Sequence, residues 1–299
     1  MKVSICIPVY NFDVRELISD LNKEIRECGH DAEIILIDDG SEIQYKQINK
    51  ELQEQVNQFI YLDKNIGRSR IRNLFLDYSN GDYLLFLDCD GKITERQFIE
   101  NYILFINENP DTKVIYAGRK VSHTPPDQEH FLRWKFAVER ENLPVENRLE
   151  KPYLSFQTNN FLIKKEVFEK VQFNPDFQKY GYEDLLFAMD LKAKDITIDH
   201  IQNPIFNNDL ETNKVYLGKV EESIESLAQM LKNISLNPKL SEIKLVKIYN
   251  LIHNNPLKLL IRLFFKFQKE NIKKTLLKGK VNLRYLDYYK LGLLLQKME

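Results

Sequence analysis

Residues 82–91 read Asp-Tyr-Leu-Leu-Phe-Leu-Asp-Cys-Asp-Gly. Five mostly large apolar side chains, Tyr83 to Leu87, follow one another without a polar break, and two carboxylates one residue apart, Asp88 and Asp90, end the run. An apolar run of strand length points to a strand buried on both faces, which needs a sheet with a layer on either side. The Asp-x-Asp then falls at the carboxyl end of a central strand, where open α/β sheets bind their ligands. Carboxylates so close repel one another unless a cation offsets them, and an all-oxygen donor set suits Mg²⁺ or Mn²⁺ shared with a diphosphate. A solvated turn after a strand has the same local sequence, so the pair alone does not decide between the two.

The flanking chain supplies the rest of such a sheet. A β-branched strand over 3–9 ends at Tyr10-Asn11, and Val14, Leu17, Ile18, Leu21 and Ile25 recur at helical spacing over 13–26. A second strand over 33–37 is stopped by Asp38-Asp39-Gly40-Ser41. A polar helix over 45–56, a strand over 59–62 and a helix over 67–78 lead to the central strand. This βαβαβαβ alternation predicts a mostly parallel sheet flanked by helices.

The glycines exclude the common nucleotide fingerprints. None of the ten forms GxG, and GxxxxGK is missing, so neither a dinucleotide fold nor a P-loop is expected. The loop after the first strand, Pro8-Val9-Tyr10-Asn11, can turn but cannot wrap a triphosphate as a nucleotidyltransferase loop would. No stretch approaches 18 uncharged apolar residues, so no bilayer-spanning helix is predicted. The amino terminus enters a strand at once, so no cleaved leader is expected. Three cysteines without a CxxC pair (Cys6, Cys28, Cys89) read as reduced thiols in a cytoplasmic protein.

Four stretches in order carry a resemblance: Pro8-Val9-Tyr10-Asn11, Ile37-Asp38-Asp39-Gly40-Ser41, Asn65-Ile-Gly67-Arg-Ser-Arg-Ile-Arg72-Asn73 and Asp88-Cys89-Asp90. Downstream follow Thr158-Asn159-Asn160-Phe161 and Gly181-Tyr182-Glu183-Asp184. Together they resemble the family 2 glycosyltransferases over roughly residues 1–215. The resemblance implies a GT-A fold (Rossmann-like, mostly parallel sheet flanked by helices) and inverting, non-processive transfer from a nucleotide-sugar. It also implies a nucleotide-sugar half over 1–120 and an acceptor half over 121–215; beyond it, the pattern of the chain itself predicts a helical basic region over 216–299.

The same resemblance distributes the roles. Asp39 accepts from the N–H of a uracil-type base, while Asp38 either joins it or caps the turn with Gly40. Pro8 to Asn11 supply backbone around the base, and Gly67 and Arg72, the latter matching the family's arginine, belong to the nucleotide-sugar site. Arg68 and Arg70 either add to the phosphate site or are solvated. Asp88 and Asp90 hold Mn²⁺ or Mg²⁺ against the diphosphate, with Asp90 the usual direct ligand; Cys89 lines the same stretch and is assigned no chemistry. Asp184 is the base that takes the acceptor proton, oriented by Glu183, as an inverting single displacement requires. An acidic first turn of a helix would read identically. Asn159, Asn160 and Tyr182 fall on the acceptor side, and Trp134 is there either as a sugar platform or as core packing.

Two departures matter. Many relatives carry a histidine after the Asn-Pro turn, where this chain has Asn203-Pro204-Ile205-Phe206-Asn207, so a third protein ligand is not implied. The Gln-x-x-Arg-Trp of processive synthases is replaced by His130-Phe-Leu-Arg133-Trp134 ahead of the base, which predicts addition of one sugar or very few.

The carboxyl-terminal region differs in charge. Residues 239–299 hold 14 Lys and Arg against 4 Asp and Glu, leaving 29 against 40 for the rest. Over 256–269, Leu257, Leu260, Ile261, Phe264 and Phe265 form an apolar stripe, and Lys258, Arg262, Lys266 and Lys269 a basic one. Such a helix either lies on an anionic membrane surface or packs on its own catalytic domain or a second copy of the chain. No nucleic-acid-binding motif is present. The expected partners are a nucleotide-sugar donor, UDP-sugar favoured by the resemblance, and a glycan or lipid-linked glycan acceptor. The alternative is a non-catalytic nucleotide-sugar-binding or scaffold protein acting through its basic tail.

Overall fold

The computed structural model describes residues 1–177, 180–207, 209–253, 255–256, 258–279 and 282–298. Leu257 of the apolar stripe lies outside the described residues. The chain forms two compact units, neither continuous in sequence: residues 1–120, 142–178 and 190–207 make the first, and residues 121–141, 179–189 and 208–299 the second. This partition differs from a boundary at 215, because two excursions from the middle of the chain join the carboxyl-terminal helices.

The first unit holds a seven-stranded sheet. Its strands are β1 (Val3–Val9), β2 (Ala32–Asp38), β3 (Gln58–Tyr61), β4 (Tyr83–Leu87), β5 (Val114–Tyr116), β7 (Asn160–Lys164) and β8 (Asp199–His200), in the order β3-β2-β1-β4-β7-β5-β8. A small ribbon pairs β6 (Arg119–Lys120) with β9 (Ile205–Phe206). β1, β2, β3 and β4 are parallel, and β4 is buried at every position, as its unbroken apolar run predicts. The exception is β7, which runs antiparallel between β4 and β5. The Thr158-Asn159-Asn160-Phe161 stretch, read as acceptor-side, thus enters a core strand.

Helix Arg15–Cys28 crosses from β1 to β2 on its Leu17, Ile18 and Leu21 face and stops at Gly29, whose left-handed φ of +67° closes the last turn onto Ile25. The polar helix over 45–56 is a short helix Ile43–Ile48 followed by a 3₁₀ turn Lys50–Glu54. The 67–78 helix is likewise divided into Arg68–Leu74 and a 3₁₀ turn Phe75–Asp77. Short polar segments gain little from their own hydrogen bonds, so packing decides where they stop.

The second unit is helical. Helix Asn213–Lys232 buries Tyr216, Leu217, Val220, Ile224 and Leu227, and helix Leu283–Lys297 buries Leu286, Tyr289, Leu293 and Leu294. Glu221 joins three helices, accepting from Lys273 at 2.7 Å and Tyr289 at 2.5 Å. Gly292 lets helix Lys258–Leu277 approach closely, since a Cβ there would lie 2.3 Å from the Phe265 ring. Asn213 anchors the 121–141 excursion: its Oδ1 accepts from the Leu132 N–H at 2.8 Å, and its Nδ2 donates to the carbonyls of Gln128 and Leu277.

Candidate functional site

The carboxyl ends of β1 and β2 are tied into one surface. The Asp39 N–H donates to the Val9 carbonyl at 2.8 Å, the Asn11 N–H to Ser41 Oγ at 2.9 Å, and the Glu42 N–H to Asn11 Oδ1 at 2.8 Å. Asn11 takes a φ of +50° to make this turn, a conformation asparagine tolerates better than most residues. Pro8 and Val9 are strand residues, and Val9 is wholly buried, so backbone is what Val9 can offer a ligand; Tyr10 is exposed.

Asp38 is fully buried and its Oδ1 accepts from the Ser41 N–H at 2.7 Å. It is the turn cap, one of the two readings its sequence allowed. Asp39 grips the next loop, its Oδ1 accepting from the Ile66 N–H at 2.7 Å and its Oδ2 from the Gly67 N–H at 3.3 Å. Burial raises the Asp39 carboxyl above its ordinary range, against the lowering effect of these two N–H groups. Each oxygen keeps a second lone pair, so a base N–H can still be accepted. Gly40 makes this approach possible: a Cβ there would lie 2.6 Å from the Lys64 carbonyl carbon.

At the end of β4 the two carboxylates have different partners. Asp88 Oδ1 accepts from Arg72 at 2.8 Å, and Asp88 Oδ2 lies 3.5 Å from Arg68. Arg72 is buried, donates also to the Arg68 carbonyl at 3.2 Å, and stands 5.7 Å over the Phe173 ring. Arg72 is therefore a counter-ion of Asp88. The charge of Asp88 is thereby met by guanidinium groups. Asp90 Oδ2 accepts from Asn207 Nδ2 at 2.6 Å. Burial, then the Asp88 charge, raises the Asp90 carboxyl, while Asn207, Arg119 and Arg68 oppose the rise. Cys89 between them is pushed up to about 12 by burial, an inert thiol at neutral pH.

Asn207 is the residue whose role sequence reasoning missed. Lys92 and Phe206 exchange both backbone hydrogen bonds, at 2.7 and 2.9 Å, and this stitch carries Asn207 alongside Asp90. Its Oδ1 is buried without a hydrogen-bond partner. The available signal was its position directly after the Asn203-Pro204-Ile205-Phe206 stretch.

The acceptor-side residues divide. Asn160 is wholly buried and its amide is used up: Nδ2 donates to the carbonyls of Gly118 at 2.8 Å and Asn203 at 2.9 Å, and Oδ1 accepts from Tyr102 at 2.6 Å. It is a core bracket, and the acceptor assignment for it fails on burial. Asn159 is half-buried, its carbonyl accepting from the Asp88 N–H at 3.1 Å and its Nδ2 donating to Gln157.

Tyr182, Glu183, Asp184 and Trp134 belong to the second unit. Gly181 has a φ of +101°, and a Cβ on it would lie 2.3 Å from that of Ser223. Tyr182 follows with a φ of +67°, and burial raises its hydroxyl. Glu183 Oε2 accepts from the Gly181 N–H at 2.8 Å and Asp184 Oδ1 from the Leu185 N–H at 2.7 Å, so both open helix Glu183–Lys192. The Tyr180 N–H and carbonyl are held by Glu222 and Ser226 of helix Asn213–Lys232. The Glu-Asp pair is thus presented on the carboxyl-terminal helices. Trp134 donates its indole N–H to the Ser122 carbonyl at 2.7 Å and lies against Phe131.

Known proteins give this geometry a context. The chain superposes on the mannosyltransferase PcManGT of Pyrobaculum calidifontis, solved with GDP-Man and Mn²⁺, with a TM-score of 0.59 over 99% of this chain and 85% of that one at 12% identity. It superposes on TarS of S. aureus, residues 1–349 with UDP-GlcNAc, with a TM-score of 0.53 over 100% and 89% at 17% identity. These likenesses establish the GT-A fold. The Bacillus subtilis minor teichoic acid biosynthesis protein GgaB is 30% identical over 176 residues, 57% of this chain and 19% of that protein. The chain spans 14–19% of the length of three curated relatives that are 30–32% identical to it. Residues 4–172 match the sequence profile of Glycosyl transferase family 2. With more than half of its length inside that profile, the chain belongs to glycosyltransferase family 2.

Proposed function

We propose that this glycosyltransferase moves one sugar, with inversion, from a nucleotide-diphosphate sugar to a glycan or lipid-linked glycan. UDP-sugar is the favoured donor. The observation that carries the reading is the unequal treatment of the Asp88–Asp90 pair: Asp88 is ion-paired with Arg72 and Arg68, whereas Asp90 accepts from the Asn207 amide. The residues fit Mn²⁺ or Mg²⁺, with Asp90 as direct ligand beside an amide oxygen of Asn207 that has no hydrogen-bond partner. When bound, the ion supplies Lewis-acid stabilisation of the departing diphosphate.

The chain's own groups supply the rest. Asp39 and the turns around Asn11 and Gly67 form the nucleoside side, Asp38 braces them, and Arg72 fixes the orientation of Asp88. Asp184 takes the acceptor proton and Glu183 shapes the turn that presents it; Tyr182, Asn159 and Trp134 are the acceptor-side contacts retained. Nucleotide-sugars bound to TarS and PcManGT, and the teichoic acid role of GgaB, support a nucleotide-sugar donor and a surface-glycan acceptor.

Helix Lys258–Leu277 supports work at the cytoplasmic membrane face. Leu260, Leu263, Phe264 and Phe267 share one face and are each more than half exposed, while Phe265 is buried on Tyr288 and Tyr289. Lys258, Arg262 and Lys266 alongside match an anionic lipid surface.

The test is calorimetric titration of UDP, GDP and dTDP with and without Mn²⁺, on wild type, Asp90→Asn and Asp184→Asn. One nucleotide should bind with metal dependence, lose it in Asp90→Asn, and keep it in Asp184→Asn while sugar transfer stops. Transfer surviving in Asp184→Asn removes the base assignment, and no nucleotide binding by a folded protein removes the whole reading.

A further inference from the structure

A second group of ligand-type side chains lies at the other end of β2. Cys28 Sγ, His30 Nε2 and a carboxylate oxygen of Glu100 all fall within 4.8 Å of one another. Cys28 ends helix Arg15–Cys28, Gly29 turns the chain, His30 precedes β2, and Glu100 sits in the first turn of helix Phe98–Glu108. Asp38 and Asp39 close the opposite end of β2, about 20 Å away at the usual rise per strand residue. The cluster is therefore separate from the Asp90 site.

Two observations point to a cation. The His30 side chain is 8% exposed, and its Nε2 lies 3.0 Å from Glu100 Oε2, yet it lacks the alignment of a hydrogen bond. That is the placement of two ligands converging on one point. Glu24 brings a further carboxylate: its Oε1 accepts from the Ile99 N–H at 2.7 Å and the Glu100 N–H at 3.1 Å, and its Oε2 is buried without a hydrogen-bond partner.

We infer that Cys28, His30 and Glu100 form a zinc-type metal site that joins the end of helix Arg15–Cys28 to the start of helix Phe98–Glu108. One thiolate, one imidazole and one carboxylate suit borderline Zn²⁺, tetrahedral, with water in the fourth position on the exposed Cys28 side; they do not suit Mg²⁺ or Mn²⁺. Binding releases the thiol proton, so affinity rises with pH. The site does not depend on the transferase reading.

The test uses full-length, tag-free protein, stripped by chelation and titrated with Co²⁺ and then Zn²⁺. Wild type should take up one Co²⁺ with a thiolate-to-cobalt charge-transfer band, displaced by Zn²⁺. The band should vanish in Cys28→Ser, Zn²⁺ affinity should fall by at least roughly 100-fold there and in His30→Gln, and Asp90→Asn should keep both. Cys28 is exposed, so its serine variant should fold as wild type; circular dichroism checks this. Equal cobalt spectra in wild type and Cys28→Ser, or a band lost in Asp90→Asn, overturns the assignment.

Discussion

Replacing Arg72 with leucine should destabilise the first unit by about 2–3 kcal/mol, and the partner substitution should reveal why. Removing one member of a buried ion pair costs roughly 3–5 kcal/mol, because the other charge is left uncompensated. Asp88 reduces that figure in two ways: its side chain is 23% exposed, and Arg68 stands 3.5 Å from its other oxygen. Arg72→Leu also removes the bond to the Arg68 carbonyl and the contact with Phe173, which works in the opposite direction. For a unit of this size, 2–3 kcal/mol lowers Tm by roughly 5–10 °C, readable by calorimetry or urea unfolding. Neutralising the orphan with Asp88→Asn should restore at least 1 kcal/mol of the loss, as a double-mutant cycle between touching residues requires. A single mutant within about 0.5 kcal/mol of wild type, or a double mutant no better than Arg72→Leu, refutes the counter-ion assignment.

Four other outcomes follow from named contacts. Gly181→Ala places a Cβ against Ser223 in a left-handed conformation and should cost about 1–3 kcal/mol, with Ser223→Gly restoring only the steric part, measured by urea unfolding. His200, buried and near Arg148, is depressed to about 4. The unfolded chain therefore takes up a proton that the folded chain refuses between pH 6.5 and 4, so stability falls as pH drops through that window; the loss is about 2 kcal/mol at pH 5 and is absent in His200→Gln. Asn207→Ala should weaken Mn²⁺-dependent UDP binding roughly tenfold in calorimetry by freeing Asp90, with little change in Tm. Phe264→Glu with Phe267→Glu should abolish co-sedimentation with anionic vesicles, and unchanged sedimentation removes the membrane contact.

Much of the fold was legible because one physical rule wrote it into the chain. A strand covered on both faces must be apolar at every position, so Tyr83–Leu87 announced itself, and the carboxylates after it had to lie at the carboxyl end of a central strand. The same logic placed β1, β2 and helix Arg15–Cys28 to within two residues. β7 escaped notice as a strand, since Asn160-Phe-Leu-Ile-Lys is short and its Asn160 looks like a surface residue. The sequence cannot show that Tyr102, Gly118 and Asn203 converge on that amide from positions up to 58 residues away.

The amino-acid order by itself determined which residue types stand at the ends of the parallel strands, the glycines at the tight turns, and the basic character of the carboxyl-terminal helices. Tertiary structure alone decided which of those side chains are spent on the protein. Local pattern registers polarity and spacing, whereas a carboxylate's role depends on which distant group meets its charge. Arg72 reaches Asp88 across 16 positions and Asn207 reaches Asp90 across 117, and those two contacts make two aspartates one residue apart into a half-buried ion-pair partner and a metal ligand candidate.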